Sequence, residues 1–158
     1  MKKYDMTTEK ITHGDRTLSR IRALTSFGFI KSGELGGYIE KELNLSQAGN
    51  AWVSGNAWVS GDARVYGNAW VSGNAWVYGN AEVYAKNHLI YVGPIGSRSG
   101  FTTFFRTKDN KICVSCGCFT GDIDEFEAAV KETHAGTKHE KTYMLAIEIA
   151  KAQIEMER

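Results

Sequence analysis

Between residues 49 and 84 the apolar positions return every six residues. The segment reads GNAWVS, GNAWVS, GDARVY, GNAWVS, GNAWVY and GNAEVY without a gap. In each hexad an alanine and a valine stand two places apart, the spacing at which side chains of a strand share one face. Ala51, Ala57, Ala63, Ala69, Ala75 and Ala81 with Val53, Val59, Val65, Val71, Val77 and Val83 are therefore the inward residues, and whatever lies between them points out. Gly-Asn or Gly-Asp precedes each pair, and these residues tolerate the left-handed backbone of a tight corner. A period of six fits neither a helix nor a simple hairpin. It predicts a parallel β-helix in which each hexad makes one side and three hexads complete a coil. Eighteen residues per coil place Trp70 over Trp52, Trp76 over Trp58 and Glu82 over Arg64, each pair about 4.8 Å apart.

The flanks carry other patterns. Residues 2–30 hold two strand-like runs, KKYDMTTEKI and RTLSRIRAL, around a turn at Thr12-His13-Gly14-Asp15. Arg20 and Arg22 fall on one strand face, where an anion is one occupant and nearby glutamates another. Ile39, Leu45 and Ala51 are six apart, so the inward small-residue column is predicted to begin at Ile39. Residues 85–90 (AKNHLI) extend the pattern by one side, with Leu89 in the next valine position. Farther on, LIYV, FTTFFRT and KICVSCGCF read as strands, the last two joined by a turn at Lys108-Asp109-Asn110. Two helices follow. One starts near Asp122, with Glu125 three residues on, and carries Ile123, Phe126 and Val130 inward up to His134. The other starts after Thr137, with Glu140 as its partner, and presents Tyr143, Ile147, Ala150 and Ile154 at helical spacing. The expected organisation is an N-terminal β cap (1–36), a β-helix (37–90) and an α+β module of hairpin and two helices (91–158).

Composition narrows the classes. Six of the 17 glycines and all four tryptophans fall within residues 49–84, so the repeat accounts for the compositional bias. Nineteen Lys and Arg against eighteen Asp and Glu give +1, which argues against a nucleic-acid polymer as partner. No run of 18 apolar residues exists, and Met-Lys-Lys leads into polar sequence, so no membrane contact is expected. The three cysteines, Cys113, Cys116 and Cys118, are odd in number, and a cytoplasmic protein with free thiols is expected. Their spacing matches no zinc knuckle or ribbon, and they read as small buried hydrophobes, with metal or redox chemistry as the alternative; on a strand Cys116 and Cys118 share one face and Cys113 takes the other. No metal and no cofactor are expected.

The hexads resemble the hexapeptide-repeat, left-handed β-helix family, with glycine displaced one place from its commonest position. That resemblance implies a mainly β protein built on a short left-handed parallel β-helix, in a family whose members are often trimers, so a homotrimer is expected, with a dimer as the alternative. An SRIRAL strand, the GELGGYIEKELNLS lead-in and the GNAWV hexads together resemble small proteins of bacteriophages and prophages. GPIGSRSGFTTFFRTKD, VSCGCFTG and DEFEAAVKETH extend the likeness over nearly the whole chain. It implies an accessory protein acting in the host-cell cytoplasm and carries no reaction with it.

Trp52, Trp58, Trp70 and Trp76 point outward from the isolated coil. Rows of large exposed aromatics mark a contact surface, here taken as a homo-oligomer interface, with cover by the chain's own termini and stacking of a ligand as alternatives. The best candidate for ligand binding is the loop of residues 93–100. Its glycines free backbone N–H groups, Gly96 among them. Ser97 and Ser99 add hydroxyls, and Arg98 forks onto phosphate or carboxylate. Thr102 and Arg106 extend the donor surface, and Tyr91 supplies a ring for a base. No catalytic residue is assigned, because the histidines His13, His88, His134 and His139 assemble no triad by spacing. The expectation is a non-catalytic, phage-encoded binding protein that blunts a host defence, by sequestering a small anionic or nucleotide signal or by blocking a host protein. Two alternatives stand beside it. One is a hexapeptide-repeat acyltransferase using His88, and the other a structural component of the phage particle.

Overall fold

The computed structural model describes residues 1–156, so the last two residues of the expected 91–158 module lie outside the described residues. The chain divides into two compact units, Met1–Lys86 and Asn87–Arg158.

The first unit opens with a hairpin of β1 (Tyr4–His13) and β2 (Arg16–Ala23), followed by β3 (Leu35–Ile39). Six two-residue strands come next: β4 (Trp52–Val53), β5 (Trp58–Val59), β6 (Arg64–Val65), β7 (Trp70–Val71), β8 (Trp76–Val77) and β9 (Glu82–Val83). The eighteen-residue register holds in every pair. Trp52 lies beside Trp70, Trp58 beside Trp76 and Arg64 beside Glu82, all in parallel ladders. All six alanines and all six valines of the repeat are buried. The corner glycines, Gly49 to Gly79, have φ between 62° and 71°, a conformation that costs any residue with a Cβ free energy. The indole N–H of Trp70 donates to Ser54 Oγ at 3.0 Å and that of Trp76 to Ser60 Oγ at 3.1 Å, tying one coil to the next.

The three ladders are separate sheets, and one is merged into the N-terminal hairpin. β1-β2-β3-β5-β8 form a single five-stranded sheet, antiparallel through β3 and parallel from there on. The expected cap and repeat are thus one body. The splice depends on Gly36 and Gly37. A Cβ on Gly36 would come within 2.5 Å of the Val53 carbonyl, and one on Gly37 equally close to that of Ala57.

Two details depart from the expected column. Ile39 pairs with Val59, and Leu45 bridges Val65, so both occupy valine places, not alanine places, twenty residues ahead of their partners instead of eighteen. The two extra residues fall between Leu45 and Val53, and this wider corner carries Gln47. Its Oε1 accepts from the backbone N–H of Lys3 at 2.7 Å and of Tyr4 at 3.3 Å, which ties down the start of β1. Lys3 Nζ donates to the Ala51 carbonyl at 2.8 Å and lies over the Phe27 ring. Asn44, fully buried, donates to the carbonyls of Gly61 and Ala63 and accepts from the N–H groups of Glu40 and Lys41. At the other end, Leu89 adds no further side to the repeat. It begins β10, an antiparallel strand of the second unit.

The second unit is an antiparallel meander of β10 (Leu89–Ile95), β11 (Gly100–Arg106), β12 (Ile112–Cys116) and β13 (Phe119–Asp122). α1 (Ile123–His134) and α2 (Lys138–Gln153) follow. Both helix starts carry the caps the sequence predicts: Asp122 accepts from Glu125 N at 2.8 Å, and Thr137 from Glu140 N at 3.4 Å. Phe104 and Val114 of the sheet pack with Phe126 and Val130 of α1 and with Tyr143, Ile147 and Ala150 of α2. The run KICVSCGCF is two strands, not one. It turns back at Gly117-Cys118, with Gly117 at φ 58°.

Candidate functional site

The tryptophans separate into two groups. Trp52 is fully buried within its own unit. Tyr4 and Phe27 stand edge-on to its indole, with ring centres 6.4 and 5.3 Å away, and its Nε1–H has no hydrogen-bond partner. Its expected place in an oligomer interface is therefore corrected: the N-terminal hairpin and the loop after it cover the first face. Trp58, Trp70 and Trp76 remain half-buried. His13, the last residue of β1, sits 5.0 Å from both Trp58 and Trp76, so the tip of the hairpin partly screens the second face. Arg20 is also engaged within the unit. It donates to the Gly36 carbonyl and pairs with Glu9 at 3.2 Å while its guanidinium rests on the Tyr38 ring.

A cleft of about 340 Å³ opens in the second unit, between the two hairpin turns and the helices. The expected loop contributes to it as a tight hairpin turn over Gly96–Ser99, closed by Ser99 N–H donating to the Gly96 carbonyl at 3.1 Å. Ser97 and Arg98 line the cleft. Gly96 lies behind it, where a Cβ would run into the Tyr143 hydroxyl, and at φ 83° it also suits the turn. The β12–β13 turn supplies Cys116, Gly117, Cys118 and Phe119. The helices supply Phe126, His134 and Tyr143.

The other expected ligand residues do not line it. Thr102 is fully buried beneath Cys116, and its hydroxyl donates to the Cys116 sulfur at 3.1 Å. Arg106, only 3% exposed, lies at the far end of β11. Tyr91 is stacked on Phe101 at 5.3 Å, and Phe101, not Tyr91, reaches the cleft. Ser99 is used by the turn. His88, on which the acyltransferase alternative rests, is buried at 4% exposure.

The cleft joins two chemistries. Its floor is aromatic: Phe119 and Phe126 lie 5.2 Å apart, and Phe126 meets Tyr143 edge-on at 5.6 Å. Its rim is polar, with the Arg98 guanidinium, the Ser97 hydroxyl and the His134 imidazole, whose ring lies 5.5 Å from that of Tyr143. Burial, reinforced by Cys116, pushes the Tyr143 hydroxyl up to about 12, so it keeps its proton at neutral pH. A flat apolar body fits the floor while an anionic group meets Arg98. Among the described residues no cluster of three or more His, Cys, Asp or Glu is arranged to hold a metal ion.

Sequence reasoning missed Cys116, Cys118, His134 and Tyr143 as neighbours of Arg98. The available signal was the glycine between Cys116 and Cys118, which marks a hairpin turn. The three cysteines are free, but they are not the buried hydrophobes expected: Cys113 and Cys116 are half-buried and Cys118 is exposed.

The parallel ladders and the period behind them define a mainly β protein that carries a β-solenoid repeat and two C-terminal helices. Residues 57–73 and 63–79 match the model of a family described as the YdcK beta solenoid repeat. Comparison with curated proteins gives no match. No helix among the described residues is long and apolar enough to cross a membrane.

Proposed function

We propose that this is a non-catalytic binding protein whose second unit sequesters a small anionic ligand of the nucleotide class. One observation carries the reading: a single cleft presents Arg98 and Ser97 beside an aromatic floor. A guanidinium gives phosphate both charge and direction, and rings accept a planar base. The likeness to phage proteins supports a role in the host cytoplasm, where holding such a signal away from its receptor blunts a defence. The solenoid is the scaffold. Its uninterrupted hexads favour a left-handed coil, and the half-buried Trp58, Trp70 and Trp76 favour a homotrimer.

The test is mass spectrometry of small molecules released from protein purified out of infected cells, with Arg98→Ala in parallel. Wild type is expected to release a phosphorylated compound that the variant lacks, while the variant keeps its fold. Equal retention by both sinks the site, and release of nothing by either leaves blockade of a host protein as the better reading.

A further inference from the structure

The three free cysteines stand in three different environments along one hairpin. Cys118 is exposed, occupies the β12–β13 turn and shares the cleft with Arg98 and Ser97. Cys116 is half-buried, and both sides of its sulfur are engaged: Thr102 Oγ1 donates to it at 3.1 Å, and its own thiol points to the Tyr143 hydroxyl at 3.8 Å. Cys113 does not line the cleft.

We propose that Cys118 is a thiol-exchange site for small anionic disulfides, which Arg98 draws into the cleft. The proposal rests on the reading of the cleft as an anion site, and it adds a covalent step. The nucleophile is the thiolate. The Cys118 sulfur, having given up its proton, attacks one sulfur of the disulfide. The old S–S bond breaks, and its electron pair leaves on the departing sulfur, which takes up the proton. A new S–S bond ties the other half to the protein. One disulfide is consumed and one formed, so no outside oxidant enters.

The neighbouring thiols explain why the exchange falls on Cys118 and stops there. Resolution by Cys116 is hindered by geometry: its sulfur is half-buried and engaged on both sides by the Thr102 and Tyr143 hydroxyls. Cys113 is held in its thiol form by burial and then by the carboxylates of Asp122 and Glu125, which also repel an anionic reagent. The mixed disulfide therefore persists, and it places an anionic group beside Arg98.

The experiment treats the full-length protein with oxidised glutathione or with neutral 2-hydroxyethyl disulfide, and follows the products by intact-mass and peptide-mapping spectrometry. Wild type is expected to gain one glutathione at Cys118, faster than it gains the neutral adduct. Cys118→Ser should take up none. Arg98→Ala should cut the preference for the anionic reagent about tenfold, and Arg98→Lys should restore part of it. Primary modification at Cys113 or Cys116, or a preference unchanged in Arg98→Ala, overturns the proposal. If Arg98→Ala loses a nucleotide but keeps the preference, exchange steering falls and the binding reading stands. If the preference depends on Arg98 while no phosphorylated compound is retained, the nucleotide reading falls and the exchange site stands.

Discussion

The two units of this chain reach their structures by opposite routes. In the hexads each inward residue's surroundings follow from its place in a period, and its ladder partner is the residue eighteen positions away. In the second unit the cleft is built from two turns and two helices that share no period. Arg98, Cys118, His134 and Tyr143 come together only because the meander and the helix pair fold on one another. A repeated pattern fixes a scaffold residue by residue, whereas a binding cleft emerges only when separate segments meet.

The largest effect should come from the periodic interior. Val71→Asp buries an unpaired carboxylate at a fully enclosed position, at a cost of at least about 4 kcal/mol. Urea denaturation is expected to lose its cooperative solenoid transition. A normal transition would mean that the valine column opens to solvent, and the contrast between the units would fail.

Trp52→Ala ranks next, at about 3–5 kcal/mol, the range for emptying a core aromatic site. Trp70→Ala, at a half-buried position, should cost about 1 kcal/mol. Trp52→Phe should cost much less than Trp52→Ala, because it keeps a ring between Tyr4 and Phe27 and removes the orphan indole N–H. Denaturation midpoints of the three variants check this order. Equal values for Trp52→Ala and Trp70→Ala would put both indoles in one environment.

In the second unit, Arg98→Ala should weaken binding of the retained ligand more than tenfold, on the order of 2 kcal/mol, with a melting temperature within about 2 °C of wild type. Calorimetry and a thermal scan on one preparation decide it. Unfolding would assign the arginine to the fold instead. Thr137→Ala, removing the α2 cap, should cost about 1 kcal/mol without changing affinity.

The last effect is a slope, not a shift at one pH. Burial lowers the Lys3 ammonium from 10.5 to about 8. Between those values the unfolded chain holds a proton that the folded chain has released, so Lys3 makes stability rise with pH across that window. The slope, measured as wild type minus Lys3→Met, should be positive there and vanish below about pH 8. A flat difference would place Lys3 in solvent.

Legibility followed the same division. The hexads, the ladder register, both helix caps and the inward stripe of α2 were readable, because each depends on spacing within one segment. The cover over Trp52 was not, since it depends on where Tyr4 and Phe27 arrive after a hairpin and a loop. The place of Ile39 was misread because six-residue spacing cannot reveal two extra residues at the next corner. In the cleft, Ser97 and Arg98 were readable from turn chemistry. Thr102, Arg106 and Tyr91 were extrapolated along a strand, where alternation and burial carry them elsewhere. Cys118 was hidden by reading a hairpin as one strand.

The eighteen-residue register of the hexads also bears on how such a gene changes length. Duplicating codons 55–72 inserts a block that begins and ends at the same corner, so every downstream alanine, valine and tryptophan keeps its face and the solenoid grows by one strand spacing, about 4.8 Å. Copying the single hexad 61–66 preserves the inward column yet shifts the later outward residues to the next face, so that Trp76 comes to overlie Arg64 instead of Trp58 and its indole loses Ser60. Whole-coil duplications are therefore the structurally silent ones, and descendants of this chain are expected to differ in length by multiples of eighteen residues.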